Sequence, residues 1–284
     1  MRMQIGARLF DGPGPFLMGI VNATPDSFSD GGLFLDADAA VAHALRLAEE
    51  GADLVDVGGE STRPGAPPVP EVEELRRVVP VVERLRALGF PLPISVDTAK
   101  AEVARAALAA GAHLVNDTSG LGDPDLGRAV AAAGVPIVLM HMRGTPADMQ
   151  AHAEYHDVAQ EVAAELEDVL ARAVAAGIAR ERTILDPGIG FAKTAEQSIE
   201  LLAHVRELRR LGRPLLVGPS RKSFIGKLTG APAGERVPGT IAAVTACVLA
   251  GVEMVRVHDV AACRQAARVA AALREAGAAR TGPR

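Results

Sequence analysis

The stretch PISVDTAKAEVARAALAAGAHLVNDTSGLGDPDLGRAVAAAGVPIVLMH, residues 93–141, decides the fold class. It holds three short β-branched or Leu-rich runs, Pro93–Val96, His113–Asn116 and Ile137–Met140, each ended by polar residues. A longer Ala-rich segment of helical period, Lys100–Ala110, lies between the first two runs. Strands that alternate with helices in this way are typical of parallel βαβ units.

The same alternation continues along the rest of the chain. Five further runs are predicted as strands: Phe16–Val21, Leu54–Val57, Thr183–Leu185, Leu215–Val217 and Met254–Val257. Further predicted helices are Asp38–Glu50, Glu71–Leu88, Tyr155–Ala176, Glu196–Leu211 and Val260–Ala276.

Eight strands in this pattern predict an α/β fold, a single-domain (β/α)8 TIM barrel over residues 1–284. Residues 1–15 are expected to be an N-terminal lead-in and residues 277–284 a flexible tail. A doubly wound sheet is the rival architecture. It is disfavoured because no Gly-x-Gly-x-x-Gly turn follows the first predicted strand.

Composition excludes several classes of protein. The chain has 284 residues, 49% hydrophobic and 23% charged, which is ordinary for a globular protein. A net charge of -5 argues against nucleic acid as a partner, because binding to a phosphate backbone needs clustered positive charge. No apolar run approaches the roughly 20 residues of a membrane span. Cys247 and Cys263 are expected to be buried thiols in a reducing compartment, so we expect a cytoplasmic enzyme.

Polar residues close every predicted strand, and in a barrel the active site lies at these C-terminal ends. Helix caps would explain an Asp or Asn at any single strand end, but caps do not require Lys, Arg and His as well. The residues are Asn22, Glu60-Ser-Thr-Arg63, Asp97, Asn116-Asp117, Met140-His141, Asp186, Ser220-Arg-Lys222, and Arg256 with His258.

These residue types predict two kinds of binding group. Carboxylates and an amide suit the in-plane N–H and carbonyl groups of a flat heterocycle; they are Asp97, Asp186 and Asn116. Cationic side chains suit a phosphate or diphosphate; they are Arg63, Lys222, Arg256 and His258. The loop Gly218–Ser223 opens into a predicted helix, whose first N–H groups favour an anion. We therefore expect a nitrogen heterocycle with a phosphorylated or carboxylated group.

Two long loops rich in Gly and Pro are predicted to cover this site. They span residues 22–32 and 58–66 and are too polar and too broken to be helical. Long loops in a compact fold are often lids or binding loops, and a lid that closes excludes water from the reaction.

At these residues the sequence resembles the dihydropteroate synthase family, in order along nearly the whole chain. The two loops are the most specific part of the resemblance. The matching stretches are Met18–Gly32, Asp56–Gly65, Ile94–Thr98, Val115–Gly120, Met140-His141, Leu185–Phe191, Val217–Ser223, Gly239-Thr240 and Arg256–Asp259.

The resemblance implies the condensation of 6-hydroxymethyl-7,8-dihydropterin diphosphate with 4-aminobenzoate, giving 7,8-dihydropteroate and pyrophosphate. It implies a homodimer, and Mg²⁺ coordinated near Asn22. The implied pterin-binding residues are Asp97, Asn116, Met140, Asp186, Phe191 and Lys222. The implied diphosphate-binding residues are Asn22, Arg256 and His258. The implied lid residues are Phe28, Asp30, Thr62, Arg63 and Pro64.

The resemblance further implies that aminobenzoate packs beside Pro64, Phe191 and Lys222, with its carboxylate near Ser223. Gly218 is also expected to contact substrate. The residue chemistry fits an SN1-like path. Loss of diphosphate is aided by Mg²⁺, Arg256 and His258, and Asp97 and Asp30 stabilise the pterin methylene cation. The expected catalytic residues are Asp30, Arg63, Asp97, Lys222, Arg256 and His258.

Two other functions remain open from the residues. A pterin methyltransferase would share the barrel and pocket, but would not need the Arg256–His258 pair or the Ser-Thr-Arg-Pro loop. A non-catalytic pterin-binding protein would not need Asp30, Thr62 or Arg63.

Some further signals carry less weight. Lys222 as a Schiff-base lysine is an alternative that explains the neighbouring Asp and Asn residues less well. Lys100 and Lys193 are expected to be surface charges, and His152 with His156 a solvated helix face.

Overall fold

The structure is a computed structural model that describes residues 1–23 and 33–281, with side chains omitted for 33–36 and 279–281. All the strands predicted above are present, with ends that shift by at most one residue. A short hairpin precedes them. The strands are β1 Arg2–Ile5, β2 Arg8–Asp11, β3 Phe16–Asn22, β4 Leu54–Gly58, β5 Ile94–Asp97, β6 Leu114–Asp117, β7 Ile137–Met140, β8 Thr183–Asp186, β9 Leu216–Val217 and β10 Met254–Val257.

Strands β3 to β10 form one parallel sheet in the order β8-β7-β6-β5-β4-β3-β10-β9. A parallel bridge between Leu185 and Leu215 joins β8 to the residue before β9, so the two edges of the sheet meet. The predicted TIM barrel is confirmed.

Helices surround the barrel and follow the strands in chain order. Those in the described ranges are α1 Leu33–Glu49, α2 Glu71–Ala87, α3 Ala101–Ala109, α4 Pro124–Ala133, α5 Val158–Ala175, α6 Ala195–Ala203, α7 Ser223–Thr229, α8 Val237–Leu249 and α9 Val260–Thr281. The α6 start carries a capping box, in which Thr194 and Gln197 satisfy each other's backbone N–H groups.

Four predicted helix ends were wrong. Helix α1 begins at Leu33 rather than at Asp38, and α5 begins at Val158 rather than at Tyr155. The helix predicted over Glu196–Leu211 ends at Ala203, because His204 leaves helical geometry and a 3-10 segment, Val205–Leu211, follows. Helix α9 continues to Thr281, so residues 277–281, expected in a flexible tail, are helical. The Ala-rich sequence there favours continuation of the helix.

The N-terminal lead-in forms the floor of the barrel. Strands β1 and β2 pair antiparallel, and Met3, Ile5 and Phe10 are buried in one cluster with the lower barrel interior. Apolar residues from seven barrel strands complete the cluster: Met18, Leu54, Leu114, Val138, Ile184, Leu216 and Met254. Asp53 pairs with Arg8 and Arg264 at this same end.

Side chains alternate between the two faces of each strand, and this alternation places a second inward-facing residue above each floor residue. Successive residues of a strand point to opposite faces, so the residue two positions later shares the floor residue's face. The next inward position on each barrel strand forms what we call the site layer: Ile20, Asp56, Asp97, Asn116, Met140, Asp186, Gly218 and Arg256. Most of this layer is polar, whereas the floor is apolar.

Two other features agree with the sequence. Cys247 and Cys263 are buried free thiols, as predicted. Within the described residues, every helix is too short or too polar to cross a membrane.

Candidate active site

Arg256 on β10 lies at the centre of a cluster of polar side chains inside the barrel. Its Nε donates to Asp56 Oδ2 at 2.6 Å, and its Nη2 donates to Asp97 Oδ2 at 2.8 Å. Asn116 Nδ2 donates to the same Asp56 oxygen at 2.8 Å. The fold therefore brings together three of the predicted site residues, Asp97, Asn116 and Arg256.

The environment of Asp97 favours its neutral form. Burial raises the pKa of Asp97 to about 7, although the positive charge of Arg256 opposes the shift and the negative charge of Asp56 adds to it. A ligand that donates hydrogen bonds to Asp97 would stabilise the carboxylate form.

Asp186 at the end of β8 is a second buried acceptor. Its Oδ1 accepts a hydrogen bond of 2.8 Å from the Gly188 N–H group, and its backbone carbonyl accepts one of 2.9 Å from His141 N–H. Burial raises the pKa of Asp186 to about 6, against the Gly188 hydrogen bond and the charge of Lys222. Gly188 has a φ of 68°, and a Cβ there would lie 2.0 Å from the His141 carbonyl oxygen, so the turn requires glycine.

Lys222 faces an aromatic ring at the mouth of the barrel. Its Nζ lies 3.8 Å from the centroid of the Phe191 ring, which is a cation–π contact. Burial lowers the pKa of Lys222 to about 8, while the Asp186 charge opposes that shift. Met140, buried on β7, pairs in register with Asp186 and completes this side of the slot.

His258 is held by the loop that follows β9. Ser220 Oγ accepts from the His258 backbone N–H at 3.2 Å and lies 2.9 Å from His258 Nδ1. When the hydroxyl donates its proton to Nδ1, the ring proton of the neutral imidazole lies on Nε2. Burial first, and then the charges of Arg256 and Arg221, lower the pKa of His258 to about 4, so the ring is neutral at pH 7.

The prediction that Lys193 is a surface charge is wrong. Lys193 is only 3% exposed. Its Nζ lies 2.8 Å from His141 Nδ1 and donates to the carbonyls of Gly188 at 3.1 Å and Phe191 at 2.9 Å. Lys193 thereby fixes the turn that carries the Gly188 N–H group and the Phe191 ring.

The side chains beneath this turn, His141, Glu165 and Arg143, form a hydrogen-bonded series that reaches the protein surface. His141 Nε2 lies 2.9 Å from Glu165, and the Arg143 guanidinium group bonds Glu165 and lies 3.9 Å from the centroid of the Tyr155 ring. Burial and the charge of Lys193 lower the pKa of His141 to about 4. Neutral His141 accepts from Lys193 at Nδ1 and donates to Glu165 at Nε2, which fixes its tautomer.

Lys100, predicted to be a surface charge, is half-buried and held in ion pairs. Its ammonium group pairs with Glu60, at the start of the second predicted lid loop, and with Glu74, which is buried in α2. Burial lowers and these hydrogen bonds raise the pKa of Lys100, and the net shift is upward. The ion pairs anchor the base of the loop to α2.

The second lid loop lies against the loop after β7. Gly65 N–H donates to the Pro146 carbonyl at 2.9 Å. Arg63 and Pro64 are exposed and Thr62 is half-buried. The charge of Arg63 contributes to the low pKa of His258, after burial and the charges of Arg256 and Arg221, which places Arg63 on the same side of the mouth.

The remaining predicted residues lie around the rim. Asn22, at the end of β3, is exposed, and Ser223 is the exposed first residue of α7. Gly218 lies beside Arg256, where an added Cβ would be 3.8 Å from the Arg256 Cβ. Phe28 and Asp30, predicted in the first lid loop, lie outside the described residues.

Asp56 is a site residue that the sequence reasoning missed. It lies inside a run of apolar residues and not at the strand end, so the pattern of polar strand ends does not mark it. Asp56 is two residues after the floor residue Leu54, so the two share the inward face of β4. Arg256 is related to Met254 on β10 in the same way.

Side chains that could surround a metal ion do not occur as a cluster here. Among the residues that the structure describes, no group of three or more His, Cys, Asp or Glu is arranged to hold one. A metal at this mouth would need further ligands from a substrate or from water.

Comparison with known proteins identifies the family. A family model described as a pterin binding enzyme matches residues 18–258. A dihydropteroate synthase from Synechocystis is 49% identical over 274 residues, which are 95% of this chain and 94% of the relative. The chain belongs to the dihydropteroate synthase family. The resemblance drawn from the motifs is thereby confirmed.

Solved structures of dihydropteroate synthases share the fold. One from Xanthomonas albilineans with 4-aminobenzoic acid has a TM-score of 0.89 at 49% identity and covers 99% of each chain. Another from that organism, in complex with 7,8-dihydropteroate, has a TM-score of 0.86 at 46% identity and covers 100% of both chains. The chain is therefore a pterin-binding transferase of folate synthesis.

Proposed function

We propose that the site joins 6-hydroxymethyl-7,8-dihydropterin diphosphate to 4-aminobenzoate, giving 7,8-dihydropteroate and pyrophosphate. The observation that carries the proposal is the position of Arg256, which lies between two carboxylates and beside Asn116. A cation beside in-plane acceptors suits a heterocycle that carries an anionic leaving group.

The pterin ring would lie in the slot between Asp97, Asn116 and Asp186. These side chains present carboxylate and amide oxygens to the ring N–H groups, and Lys222 donates to a ring acceptor. Met140 and Phe191 supply apolar surface for the ring faces. Gly218 lies beside Arg256, where an added Cβ would make an ordinary van der Waals contact of 3.8 Å with the Arg256 Cβ.

The diphosphate would extend toward the rim. Arg256 uses Nε and Nη2 for its carboxylate partners, and Nη1 has no partner within the described residues. Neutral His258 offers its Nε2–H group as a second donor, because Nδ1 faces Ser220. Both donors remain for an anion at the mouth.

Mg²⁺ fits this arrangement as an ion bound jointly by the protein and the diphosphate. The Asn22 side chain is exposed at the end of β3 and has no hydrogen-bond partner among the described residues. Mg²⁺ is usually held by one or two protein oxygens together with substrate phosphates and water. When bound, the ion would neutralise charge on the departing diphosphate.

The proposed path is SN1-like. The bond between the pterin methylene carbon and the diphosphate oxygen breaks, and its electron pair leaves with the oxygen. Arg256 and His258 stabilise the developing negative charge, and the Asp97 carboxylate stabilises the positive pterin methylene group. The amine nitrogen of aminobenzoate then attacks that carbon and loses a proton to water or to pyrophosphate.

Aminobenzoate would approach from the rim, beside Phe191, Lys222 and Pro64. Its carboxylate would lie near Ser223, where α7 begins. The loop that carries Thr62, Arg63 and Pro64 would close over the amine, with Asp30 of the other lid loop, so that positioning replaces a strong base. Arg63 is exposed on this loop and available for that step.

One measurement tests the proposed function. Pyrophosphate release from the pterin diphosphate should depend on added 4-aminobenzoate, and dihydropteroate should form in equal amount. No release with both substrates present, or release that added amine does not increase, would refute the proposal. A pterin-binding protein or a methyltransferase would give no release.

We further propose a homodimer that acts in the cytoplasm. Exposed apolar side chains support the dimer: Leu228 on α7, Leu249 on α8, and Val269 and Leu273 on α9. Two buried free thiols suit a reducing compartment. Sedimentation at several concentrations measures the oligomer.

A further inference from the structure

We infer that Asp56 is a positioning residue that orients Asn116 and restrains Arg256, and this role rests on the proposed function. Asp56 is fully buried in β4, in the site layer. One of its oxygens, Oδ2, accepts from both Asn116 Nδ2 and Arg256 Nε. The residue therefore connects the proposed pterin slot to the proposed diphosphate site.

The bond to Asn116 decides which way its amide faces. Because Nδ2 donates to Asp56, the Asn116 carbonyl oxygen is directed away from that carboxylate. That oxygen can then accept from a ring N–H group of the pterin. Without an acceptor at residue 56, nothing in this contact would prevent the amide from rotating and presenting its NH₂ group instead.

The hydrogen bond from Arg256 to Asp56 sets the positive electrostatic potential that Arg256 presents to the diphosphate. Asp56 and Asp97 hold two of the three guanidinium nitrogens. Asp56 Oδ1 is buried and lacks a hydrogen-bond partner within the described chain, and Arg256 is the cation that pairs with this carboxylate. Removal of that charge would make the potential at Arg256 more positive and strengthen anion binding.

Two substitutions separate these effects. In Asp56→Asn, an amide oxygen can replace Oδ2 and still accept from Asn116 and Arg256, so the geometry stays and the charge is lost. In Asp56→Leu, both the acceptor and the charge are lost within a similar volume. A purely structural role would weaken both ligands together in either variant.

Asp53 provides a matched control. It too is a buried aspartate, paired with Arg8 and Arg264 and accepting from Leu17 N–H at 2.8 Å. It lies at the floor end of the barrel, away from the site layer. Asp53→Asn and Asp53→Leu remove comparable interactions and should leave the affinities of both probes unchanged.

The experiment measures two probes by calorimetry, 6-hydroxymethyl-7,8-dihydropterin and pyrophosphate, on the full chain. Asp56→Asn should bind the pterin like the wild type and bind pyrophosphate more tightly. Asp56→Leu should bind the pterin about 10-fold more weakly or worse, because a charged hydrogen bond is lost, and still bind pyrophosphate more tightly.

The inference is overturned if Asp56→Asn does not tighten pyrophosphate binding, or if Asp56→Leu loses both probes equally. If Asp56→Leu fails to fold, the Asp56→Asn result decides. Failure of the proposed function is distinct, since the wild-type chain would then release no pyrophosphate with both substrates present, whatever its affinity for the two probes.

Discussion

The Asp97 carboxylate on β5 accepts a 2.8 Å hydrogen bond from the Arg256 guanidinium group on β10, across the barrel interior. In the sheet order, β4 and β3 lie between these two strands. The contact therefore crosses the space where the pterin is proposed to bind. A ligand that binds there must change the contact between Asp97 and Arg256. Binding of the heterocycle is therefore coupled to the positive charge available at the diphosphate site.

Asp97→Asn should lower kcat by about 100-fold or more, because it removes a negative charge that faces the developing cation. Pterin affinity should change much less, because the amide still offers an oxygen to the ring. Steady-state kinetics and pterin calorimetry measure the two effects. Equal losses in kcat and in pterin affinity would contradict a transition-state role for Asp97.

Arg63→Ala should slow turnover by up to about 100-fold, because a lid residue positions the reacting groups. Pterin affinity should be unchanged, since Arg63 is exposed on its loop and lies outside the slot. Arg76→Ala, at an exposed position of α2, is the control and should behave like the wild type. A large loss of pterin affinity in Arg63→Ala would contradict the assignment of Arg63 as a lid residue.

Asp97 should also make stability depend on pH. Its pKa rises from 3.8 to about 7 on folding, chiefly through burial, so the folded ligand-free chain holds this proton more tightly than the unfolded chain. The free energy of unfolding contributed by Asp97 therefore falls as pH rises through that interval. Denaturant titrations should give a shallower pH dependence for Asp97→Asn. An unchanged slope would mean that Asp97 ionises normally in the fold.

Lys193→Met should reduce kcat/KM for the pterin diphosphate by about 10-fold or more, because the Gly188 and Phe191 carbonyls lose their hydrogen-bond donor. The pKa of His141, held at about 4 by burial and then by the Lys193 charge, should rise. NMR titration of the imidazole detects that shift. Lys227→Met, on the exposed side of α7, is the control. A normal kcat/KM in Lys193→Met would show that the turn holds its shape without the ammonium group.

Removal of Mg²⁺ by a chelator should abolish turnover while leaving the affinity for 6-hydroxymethyl-7,8-dihydropterin, which lacks the diphosphate, unchanged. The reason is that the ion is proposed to contact the diphosphate and Asn22 only. Asn22→Ala should raise the Mg²⁺ concentration needed for half-maximal rate. Full activity in chelator would refute the metal proposal.

Much of the architecture could be predicted because β-branched runs and helical segments alternate so regularly. Strand ends could be read from the sequence, and Asp97, Asn116 and Arg256 do meet inside the barrel. The break at His204 could not be predicted, since Glu196–Leu211 has helical residues throughout and the change is one of backbone geometry.

Burial of charge was the harder part to predict. Lys193 looks like any helix-end lysine in the sequence, and only the three acceptors around its Nζ make its burial possible. Two of those acceptors are backbone carbonyls, and the pattern of side chains in a sequence does not reveal where backbone carbonyls will lie. Asp56 was hidden for a related reason, because its apolar neighbours on β4 face the helices while it faces inward.

The β1–β2 hairpin has a kinetic consequence. Because Met3, Ile5 and Phe10 fill one end of the barrel, both substrates and both products must pass through a single entrance. The pterin slot lies deeper than the proposed aminobenzoate position, so aminobenzoate bound alone would obstruct the larger substrate. Binding should therefore be ordered, with pterin diphosphate first. Dihydropteroate that dissociates slowly from the entrance should inhibit competitively against both substrates.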